Sequence, residues 1–545
     1  MGPKVNKGKQ KRKPEIIGRG TWYDKTAFEL IEREKRLGRS LDLIRTESGL
    51  GASGFPHIGS LGDALRNLAV AMGVKVQGYN AELIAFSDDK DGLRKVPAGL
   101  PQEMEKWLGY PVSSIPDDFG DCHDSFGAHM SSLLRDALDT CGAEYHFMSG
   151  TKVYEEGVLN NEIVTIMDNA TKVGEIIKDT LGQEKYTDTL PYFAVCESCG
   201  RIYTTNAYEY VPQERKVLYR CEGMELRGKW LDGCEYEGEQ DITDGKGKLS
   251  WKVEFAARWK ALDVRFEAYG KDIADSVRVN DRICREILRY EPPMHAQYEM
   301  FLDRGGKKIS KSEGNVFTPQ VWYRYASPQS LNLLIFKRFV GTKSGSVEDI
   351  QSHADELDDI EDIYFGKRKI KDLMEEAKLK GLYEYCWMMK PPKEPEAHVP
   401  FNLMTNLARV TPRDSEEAFI KEKLEAYGYL KEGDKGIDRR LRYALNWVED
   451  FGKLELKKVE LTKDEVKVVK DLIEALESAE TEEAYQSVVF DIARTHNVKP
   501  RNLFQILYTI LLGRSQGPRF GPYVSAIGKD SVILELGKAL RKKNQ

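Results

Sequence analysis

Two short stretches of this chain combine residue types suited to binding a polyphosphate. The sequence GFPHIGS at 54–60 places His57 and Ser60 between small residues and an apolar segment with helical spacing. A helix start offers backbone N–H groups and a positive dipole end to a phosphate. The sequence KISKS at 308–312 carries Lys308 and Lys311, whose ammonium groups make a cationic loop suited to a polyphosphate. The first stretch alone is equally typical of an ordinary strand–turn–helix unit with an incidental histidine.

Strands and a helix must position these residues. The apolar run at 41–44 predicts a buried strand, and apolar residues over 61–72 recur at helical spacing after a loop rich in glycine and serine. A second strand is predicted at 81–86, and it leads into SDDKDGLRKVP at 87–97. Ligands of α/β sheets bind at the carboxyl ends of strands, so Asp88 and Asp89 are candidate site residues. A solvated turn is the alternative.

Four cysteines predict a structural metal site. Cys196 and Cys199 form a C-x2-C pair, and Cys221 and Cys234 follow. Four thiolates are a usual ligand set for structural zinc, and a disulfide is not expected in a reducing compartment. Because the gap between Cys221 and Cys234 is wide, four free cysteines or a site that has lost its metal remain alternatives. Cys122 and the other cysteines are interpreted as ordinary thiols.

The composition indicates a globular protein of several domains. The chain has 545 residues, of which 31% are charged and 41% hydrophobic. No apolar run approaches the roughly 18 residues of a membrane helix, and the first residues lack the apolar core of a secretory signal. We therefore expect a cytoplasmic protein with no membrane partner. The net charge of −6 requires any RNA contact to use local basic patches.

The last two hundred residues predict an all-helical region. From about residue 345, apolar and charged residues alternate at helical spacing. Arg439, Arg440, Arg442 and Trp447 mix cations with an aromatic ring, as RNA-stacking surfaces do. A helix face with an ordinary buried aromatic residue is the alternative interpretation.

These stretches together resemble a known family. HIGS at 57–60 and KISKS at 308–312 resemble the HIGH and KMSKS signatures of class I aminoacyl-tRNA synthetases, with Ser60 where the first signature ends in histidine. The segment at 87–97 resembles that of the class I form of lysyl-tRNA synthetase, and LLGRSQGPRFG at 511–521 resembles the end of its archaeal type. The chain departs from the family pattern after Gly270-Lys271-Asp272, where Ile273 replaces a histidine. Ser276, Arg278 and Asn280 are the candidates to substitute for it.

The resemblance implies a fold and a reaction. The fold is an α/β Rossmann-type parallel-sheet catalytic domain with a cysteine-bearing insertion, followed by an all-α C-terminal anticodon-binding domain. The expected boundaries are a flexible basic arm at 1–20, catalytic halves at 21–135 and 251–345, the insertion at 136–250 and the helical domain at 346–545. The implied reaction activates L-lysine with ATP to lysyl-adenylate and transfers lysine to the 3′-terminal adenosine of tRNA(Lys).

The resemblance also assigns residues to roles. His57, Ser60, Lys308 and Lys311 are the expected catalytic residues. The expected ATP-binding residues are Ser53, Gly54, Pro56, His57, Gly59, Ser60, Lys308, Ser310, Lys311 and Ser312. Mg²⁺ is expected with ATP and Zn²⁺ on the four cysteines.

The lysine ammonium requires a buried carboxylate or an aromatic face. The candidates are Glu47, Asp88, Asp89 and Tyr298. A glutamyl- or glutaminyl-type synthetase, which shares both signatures, is one alternative. A non-catalytic RNA-binding relative is the other, because the region from Gly270 to Ile273 is changed.

Overall fold

The structure is a computed structural model that divides into two compact units. The first comprises Met1–Tyr323 with Ser327–Lys393, and the second comprises Arg324–Ala326 with Glu394–Gln545. The residues described are 16–97, 99–118, 120, 122–299, 301–302, 317–338, 343–344, 349–410, 416–426, 428–431, 434–451, 461–512 and 519–541. Lys308, Ser310, Lys311 and Ser312 lie outside these residues, and so does most of the 511–521 segment.

A five-stranded parallel sheet forms the centre of the first unit. Its strands are β1 Ile44–Leu50, β2 Ala81–Ser87, β3 His146–Ser149, β11 Val264–Gly270 and β12 Met294–Tyr298. Their order in the sheet is β12-β11-β1-β2-β3. Leu50 pairs with Ser87, and Gly270 pairs with Tyr298, so the carboxyl ends of neighbouring strands meet along one edge. The predicted Rossmann-type architecture is confirmed.

Strand β1 extends further than the sequence predicts. The small residues from Ser48 were expected to form a loop, whereas the strand continues to Leu50 because β2 supplies hydrogen-bonding partners along its whole length. A central strand is held by two neighbours, which overrides the weak strand propensity of Ser48 and Gly49.

Helices cover the sheet and contribute to its core. They are α1 Trp22–Arg36, α2 Ile58–Val76, α3 Phe126–Thr140, α8 Trp251–Ala261 and α9 Ala274–Ile283, with a π-helical turn at Cys284–Leu288. Most residues of α2 are buried, including the polar Asn67. Asn67 is satisfied by β11, since its Oδ1 accepts from the Ala268 N–H at 2.7 Å and its Nδ2 donates to the Ala268 carbonyl at 3.2 Å.

The insertion leaves the sheet after β3 and returns before α8. It contains α4 Gly150–Glu155, α5 Asn160–Asp168, α6 Ala170–Leu181, α7 Lys185–Asp188, β4 Tyr192–Phe193, β5 Thr205–Val211, β6 Lys216–Cys221, β7 Gly223–Leu226, β8 Lys229–Asp232, β9 Glu237–Asp241 and β10 Lys248–Leu249. The sequence places its start at residue 136, but β3 pairs with β2 in the central sheet. The strand is only four residues long, which is why its pattern did not indicate a sheet position.

The first unit also includes helices that the sequence assigns to the helical domain. Its remaining elements are β13 Phe301–Leu302, α10 Pro319–Tyr325, α11 Pro328–Phe336, β14 Lys343–Ser344, α12 Ile350–Tyr364 and α13 Leu373–Cys386, and α10 ends in the second unit. The expected boundary was residue 345, whereas this unit runs to Lys393. The Tyr385 hydroxyl on α13 donates to the buried Asp24 on α1 at 2.9 Å. Periodicity predicts helices but not their packing partners.

The second unit is all-helical in its described residues, as predicted. Its helices are α14 Phe401–Val410, α15 Glu416–Ala426, α16 Ile437–Phe451, α17 Lys463–Ser478, α18 Glu482–Thr495, α19 Pro500–Leu512, α20 Phe520–Ile527 and α21 Lys529–Arg541. Thr462 and Glu465 form a reciprocal capping box at the start of α17. Apolar residues from α17 to α21 share one core, including Leu472, Val489 and Phe520. Among the described residues of either unit, no helix is long and apolar enough to cross a membrane.

Candidate active site

The start of α2 fixes His57 and Ser60 beside each other. His57 is the N-cap residue, and its Nδ1 accepts from the Ser60 N–H at 3.1 Å, with the Ser60 hydroxyl 3.4 Å away. Because Nδ1 is an acceptor here, the neutral ring carries its proton on Nε2 and can donate from there. Both residues are half-buried at the N-terminal end of the helix. The geometry gives two polar groups for an anion at a helix N-terminus.

The loop before α2 exposes part of its surface. Of the other residues expected to bind ATP, Ser53 is exposed, whereas Gly54, Pro56 and Gly59 are buried. The Ile58 N–H donates to the carbonyl of Phe317 at 2.9 Å. Phe317 is the first described residue after the lysine-bearing stretch, and it lies beside the start of α2.

A buried ion cluster lies where β1 and β2 end. The Arg258 guanidinium on α8 donates from Nε to Glu47 at 2.8 Å and from Nη1 to Asp88 at 3.0 Å. It also stacks on the Phe86 ring, 3.9 Å from the ring centroid. The sequence analysis did not select Arg258. The available signal was the Glu254–Arg258 pair, spaced i to i+4, on either side of the apolar residues 255–257.

Carboxylates outnumber cations in this cluster. Burial raises the pKa of Asp88 to about 7, against the opposing effect of Arg258. Burial likewise raises the pKa of Glu267 to about 8, and it raises that of Glu47. One guanidinium therefore serves several carboxyl groups held close together. Such a site favours the arrival of a further cation.

The structure brings together two of the four lysine-binding candidates. Glu47 is fully buried, whereas the Asp88 side chain is 14% exposed and so reaches the surface of the site. Asp89 does not contact the Arg258 cluster in the same way as Asp88. It accepts from the Ser149 hydroxyl at 2.6 Å and from the Thr151 N–H at 2.7 Å, so both of its oxygens fix the start of α4.

Tyr298 is also separate from the ion cluster. Its hydroxyl donates to Asp63 on α2, and the Arg66 guanidinium lies 4.2 Å from its ring centroid. Tyr298 is 6% exposed, so its ring is already covered by protein atoms. The contacts of Tyr298 therefore join β12 to α2, and a lysine-binding face on this ring stays a prediction.

The segment after Asp88 joins the sheet to the insertion. The carboxylate of Asp91 pairs with Lys248 and accepts from the Trp251 indole N–H at 3.1 Å. Burial by itself raises the pKa of Asp91, but the Lys248 ammonium outweighs it and holds the pKa below its ordinary value. Lys248 also lies 2.9 Å from Glu254. These buried contacts hold Asp91 against the insertion at the border of the site.

The candidates that follow Ile273 have structural contacts. Asn280 is buried, accepts from the Ala256 N–H at 2.8 Å and donates to the Trp251 carbonyl at 3.1 Å, which holds α9 against α8. Arg278 is exposed and pairs with Asp275 on its own helix. The structure therefore gives these two residues no direct place at the strand ends.

The four predicted cysteines converge in the insertion. Cys196 and Cys234 have sulfurs 3.5 Å apart, Cys199 and Cys221 have sulfurs 3.7 Å apart, and all four lie within 4.8 Å of one another. A tetrahedral metal with metal–sulfur bonds of about 2.3 Å requires sulfurs about 3.8 Å apart. A disulfide requires about 2.05 Å. The wide sequence gap before Cys234 is filled by the β7–β8 hairpin.

A second cluster of metal-ligating side chains was missed by the sequence analysis. Asp117, Cys122, His123 and His129 place one ligand atom each within 4.8 Å of the others. The Cys122 sulfur lies 3.1 Å from Nδ1 of His123 and 3.4 Å from Nδ1 of His129. Nδ1 of His129 in turn lies 3.0 Å from the Asp117 carboxylate. Cys122 is therefore not an isolated thiol. The available signal was the pattern D-x4-C-H-x5-H.

The RNA-binding candidates of the second unit differ in accessibility. Trp447 is buried, with its ring 4.7 Å from that of Phe451, as in the alternative interpretation of a helix face with an ordinary buried aromatic residue. Arg439 and Arg440 both pair with Glu396. Arg442 is exposed on the same helix. The amphipathic pattern of α16 explains the buried tryptophan.

Comparison with known proteins gives agreement over nearly the whole chain. The family model of class I (K) tRNA synthetases matches residues 20–387, and that of an anticodon binding domain matches residues 447–540. The lysine–tRNA ligase of Cenarchaeum symbiosum (strain A) is 48% identical over 518 residues, which cover 95% of this chain and 98% of that protein.

Two more distant relatives cover similar lengths. The lysine–tRNA ligases of Roseobacter denitrificans and Methanosphaera stadtmanae are each 30% identical, covering 95% and 94% of this chain and 96% and 98% of their own lengths. The range 20–387 of the first family match contains the residues of the helix start, of the ion cluster and of both metal-ligand clusters. The chain belongs to the class I (K) family of tRNA synthetases.

Proposed function

We propose that this protein is a lysine–tRNA ligase that joins L-lysine to tRNA(Lys) at the expense of ATP. The observation that carries the proposal is the carboxylate-rich ion cluster at the strand ends, on the sheet whose β1 leads to the His57 helix start. An acidic pocket suits the lysine ammonium, and the helix start suits phosphate. The full-length similarity to lysine–tRNA ligases supports the same substrate.

In the first step the lysine α-carboxylate attacks the α-phosphorus of ATP, and pyrophosphate leaves. Charge develops on the phosphoryl oxygens, so the protein contributes positioning and hydrogen-bond donors more than a nucleophile. His57 donates from Nε2 and Ser60 from its hydroxyl to the phosphates. Lys308 and Lys311 hold the leaving pyrophosphate. When bound with ATP, Mg²⁺ neutralises phosphate charge.

In the second step a hydroxyl of the tRNA's 3′-terminal adenosine attacks the lysyl carbonyl, and AMP leaves. Ser53, with its exposed position in the loop before α2, and the small residues around it line the nucleotide. Asp88 receives the lysine ammonium. Arg258 holds Asp88 and Glu47 in place, so it acts as a positioning residue.

Both metal-ligand clusters hold structural metal ions, with zinc as the best fit. The Cys196 cluster offers four thiolates at tetrahedral spacing, and the Asp117 cluster offers one thiol, two imidazoles and a carboxylate. Asp117 is almost fully buried, and a metal ion there compensates its charge. The ions fix loops around the site and take no part in the reaction.

The helical unit binds the tRNA. Arg439 and Arg442 are the exposed cations of the predicted RNA-binding set, and Arg439 pairs with Glu396; the anticodon-binding match begins five residues after Arg442, at residue 447. Helical domains of this kind hold a phosphate backbone through such cations. The enzyme acts in translation, and we accordingly place it in the cytoplasm.

Aminoacylation of total tRNA with each of lysine, glutamate and glutamine tests the proposal. We expect charging with lysine alone, because the side-chain carboxylate of glutamate faces like charges at Asp88 and Glu47. Charging with glutamate or glutamine identifies the alternative synthetase type. Absence of charging with all three, together with retained tRNA binding, identifies a non-catalytic relative.

A further inference from the structure

The two middle strands of the sheet separate before they end. The pairing of β1 with β11 reaches Thr46 and Phe266, after a register shift between Arg45 and Thr46, and the described residues of these two strands pair no further with each other. Both strands nevertheless continue, β1 beside β2 to Leu50 and β11 beside β12 to Gly270. The carboxyl ends of β1 and β11 therefore border a gap.

This gap lies where the strand order of the sheet changes direction. The chain leaves β1 through α2 to reach β2 on one side, whereas it leaves β11 through α9 to reach β12 on the other. Open α/β sheets bind their ligands in the crevice at such a switch point. Glu47 and Glu267 are the first residues beyond the last pair, and both belong to the buried ion cluster described above.

Asn67 of α2 takes the place of the missing pairing. One step further along both strands, β1 would present Ser48 to Ala268 of β11. Instead, Oδ1 of Asn67 accepts from the Ala268 N–H at 2.7 Å, and its Nδ2 donates to the Ala268 carbonyl at 3.2 Å. One fully buried side chain thus satisfies two backbone groups that β1 no longer reaches.

The same residue is also bonded to β1. The Thr46 hydroxyl donates to the backbone carbonyl of Asn67 at 3.1 Å. The side-chain amide donates in addition to the Asp63 carbonyl at 3.0 Å, one turn earlier in α2. Asparagine is unfavourable inside a buried helix unless its amide is bonded, because burial desolvates the amide. Asn67 therefore connects α2 to both strands at the point where they separate.

The position of Asn67 along α2 links these contacts to the site. It lies ten residues after His57, which is about 15 Å along the helix axis. A shift or rotation of α2 against β11 would move His57 and Ser60 relative to the strand ends. The contacts of Asn67 consequently set the distance between the phosphate-binding helix start and the carboxylates assigned to lysine.

We propose that Asn67 is a positioning residue for lysyl-adenylate formation, because it keeps the crevice between β1 and β11 open and fixes the start of α2 against the strand ends. The inference rests on the proposed function, since the atoms that it aligns are the α-phosphorus of ATP and the carboxylate of lysine. Asn67 is fully buried and acts through the two strands, not by touching a substrate. Its replacement should slow the reaction between the substrates and leave the binding of each largely intact.

Single-turnover formation of lysyl-adenylate by full-length Asn67→Leu tests the proposal. Leucine is close to asparagine in volume but makes no hydrogen bonds, so Ala268 loses both partners. We expect the rate at saturating lysine and ATP to fall about 100-fold, because a displacement of about 1 Å has that effect on aligned reactants. Lysine affinity, measured by calorimetry, and the KM for ATP should stay within about threefold of wild type.

Thr46→Val tests the contact with β1 more gently. Valine keeps the shape of threonine and removes only the hydroxyl that donates to Asn67. The loss of one neutral hydrogen bond should lower the adenylate rate roughly 2- to 10-fold, again with little change in substrate binding. If Asn67→Leu does not fold, this variant decides the question, and a wild-type rate in it then overturns the inference.

Asn332→Leu is the matched control. Asn332 on α11 is also fully buried, and its Nδ2 donates to the Cys386 carbonyl at 3.0 Å. The same exchange there should lower thermal stability and leave the adenylate rate unchanged. An equal loss of rate in Asn67→Leu and Asn332→Leu would overturn the inference, because the rate would then follow stability alone.

The remaining outcomes separate this inference from the proposed function. A wild-type adenylate rate in folded Asn67→Leu makes Asn67 a structural contact only, whereas lysine activation by wild type still supports the ligase. A loss confined to lysine or ATP affinity also contradicts positioning. If wild type activates another amino acid and not lysine, the ligase function fails, and the same comparison of rates with that amino acid tests Asn67 by itself. Activation of no amino acid overturns both.

Discussion

The replacement of Asp88 by asparagine tests the assignment of the lysine site most directly. Asparagine keeps the size of the side chain and the acceptor for Arg258, but it removes the charge that attracts the lysine ammonium. A charged hydrogen bond contributes about 1.5–3 kcal/mol, so the KM for lysine should rise by roughly 10- to 150-fold. The KM for ATP should change little, because His57 and Ser60 are unaffected.

The pKa of Asp88 adds a pH signature to this prediction. With a pKa of about 7, the carboxyl group is mostly ionised at pH 8 and mostly protonated at pH 6. Only the ionised form attracts the ammonium, and apparent affinity scales with the competent fraction. Lysine affinity of the wild-type protein should therefore fall about tenfold from pH 8 to pH 6, as one pH unit below the pKa leaves about a tenth of the group ionised. The Asp88→Asn variant should lack this change.

The same shift has a consequence for stability. Because folding raises this pKa from 3.8, the folded protein binds more protons than the unfolded chain between about pH 4 and pH 7. The contribution of Asp88 to stability therefore decreases as the pH rises through that window. We expect Asp88→Asn to gain thermal stability relative to wild type as the pH increases from 4 to 7.

Calorimetric titration with lysine at pH 6, 7 and 8 provides the measurement. Glu82→Gln is the matched control, since it removes a carboxylate that lies on β2, the strand leading to Asp88, and pairs with Arg45. An Asp88→Asn variant with wild-type lysine affinity at pH 8 would refute the reasoning. So would an identical pH profile in wild type and variant.

Three further predictions concern the other sites. Lys311→Ala should slow lysyl-adenylate formation by about 100-fold in single-turnover measurements while lysine affinity is retained, and an unchanged rate would remove Lys311 from the mechanism. Elemental analysis of protein purified without chelator should find two zinc ions per chain, with one lost in Cys199→Ser and the other in His129→Ala; a full complement in either variant would contradict the assigned ligands. Arg442→Glu should raise the KM for tRNA and make that KM less dependent on salt, at unchanged thermal stability. Trp447→Ala should lower the free energy of unfolding by about 3–5 kcal/mol, because the tryptophan ring is buried. Wild-type tRNA affinity in folded Arg442→Glu would place the RNA surface elsewhere.

Local patterns in the sequence predicted the parts of this protein that local physics determines. Small residues before an apolar helical repeat indicated the α2 start with His57, and Thr462 with Glu465 indicated a capping box. The C-x2-C pair indicated a metal-ligand cluster. In each case the interacting groups lie within a few residues of one another or have a spacing that few other structures require.

The roles of individual charged and aromatic residues could not be predicted in this way. Asp88 and Asp89 are adjacent and chemically identical, yet one faces the ion cluster and the other caps α4. Neighbouring side chains at the end of a strand point in different directions. Their roles therefore depend on which helix packs on each face of the sheet. The sequence spacing around Trp447 is likewise the same whether its face of α16 is buried in the core or exposed to solvent.

The active site itself is a product of tertiary structure. Arg258 meets Glu47 across 211 residues of sequence, and it does so only because α8 packs where β1 and β2 end. The pKa of Asp88 follows from that burial and from the neighbouring charges, neither of which is a property of the local sequence. The sequence by itself determined the strand–loop–helix unit and the family signatures. The folded sheet decided which carboxylates share one guanidinium, because long-range packing sets the distances between charges.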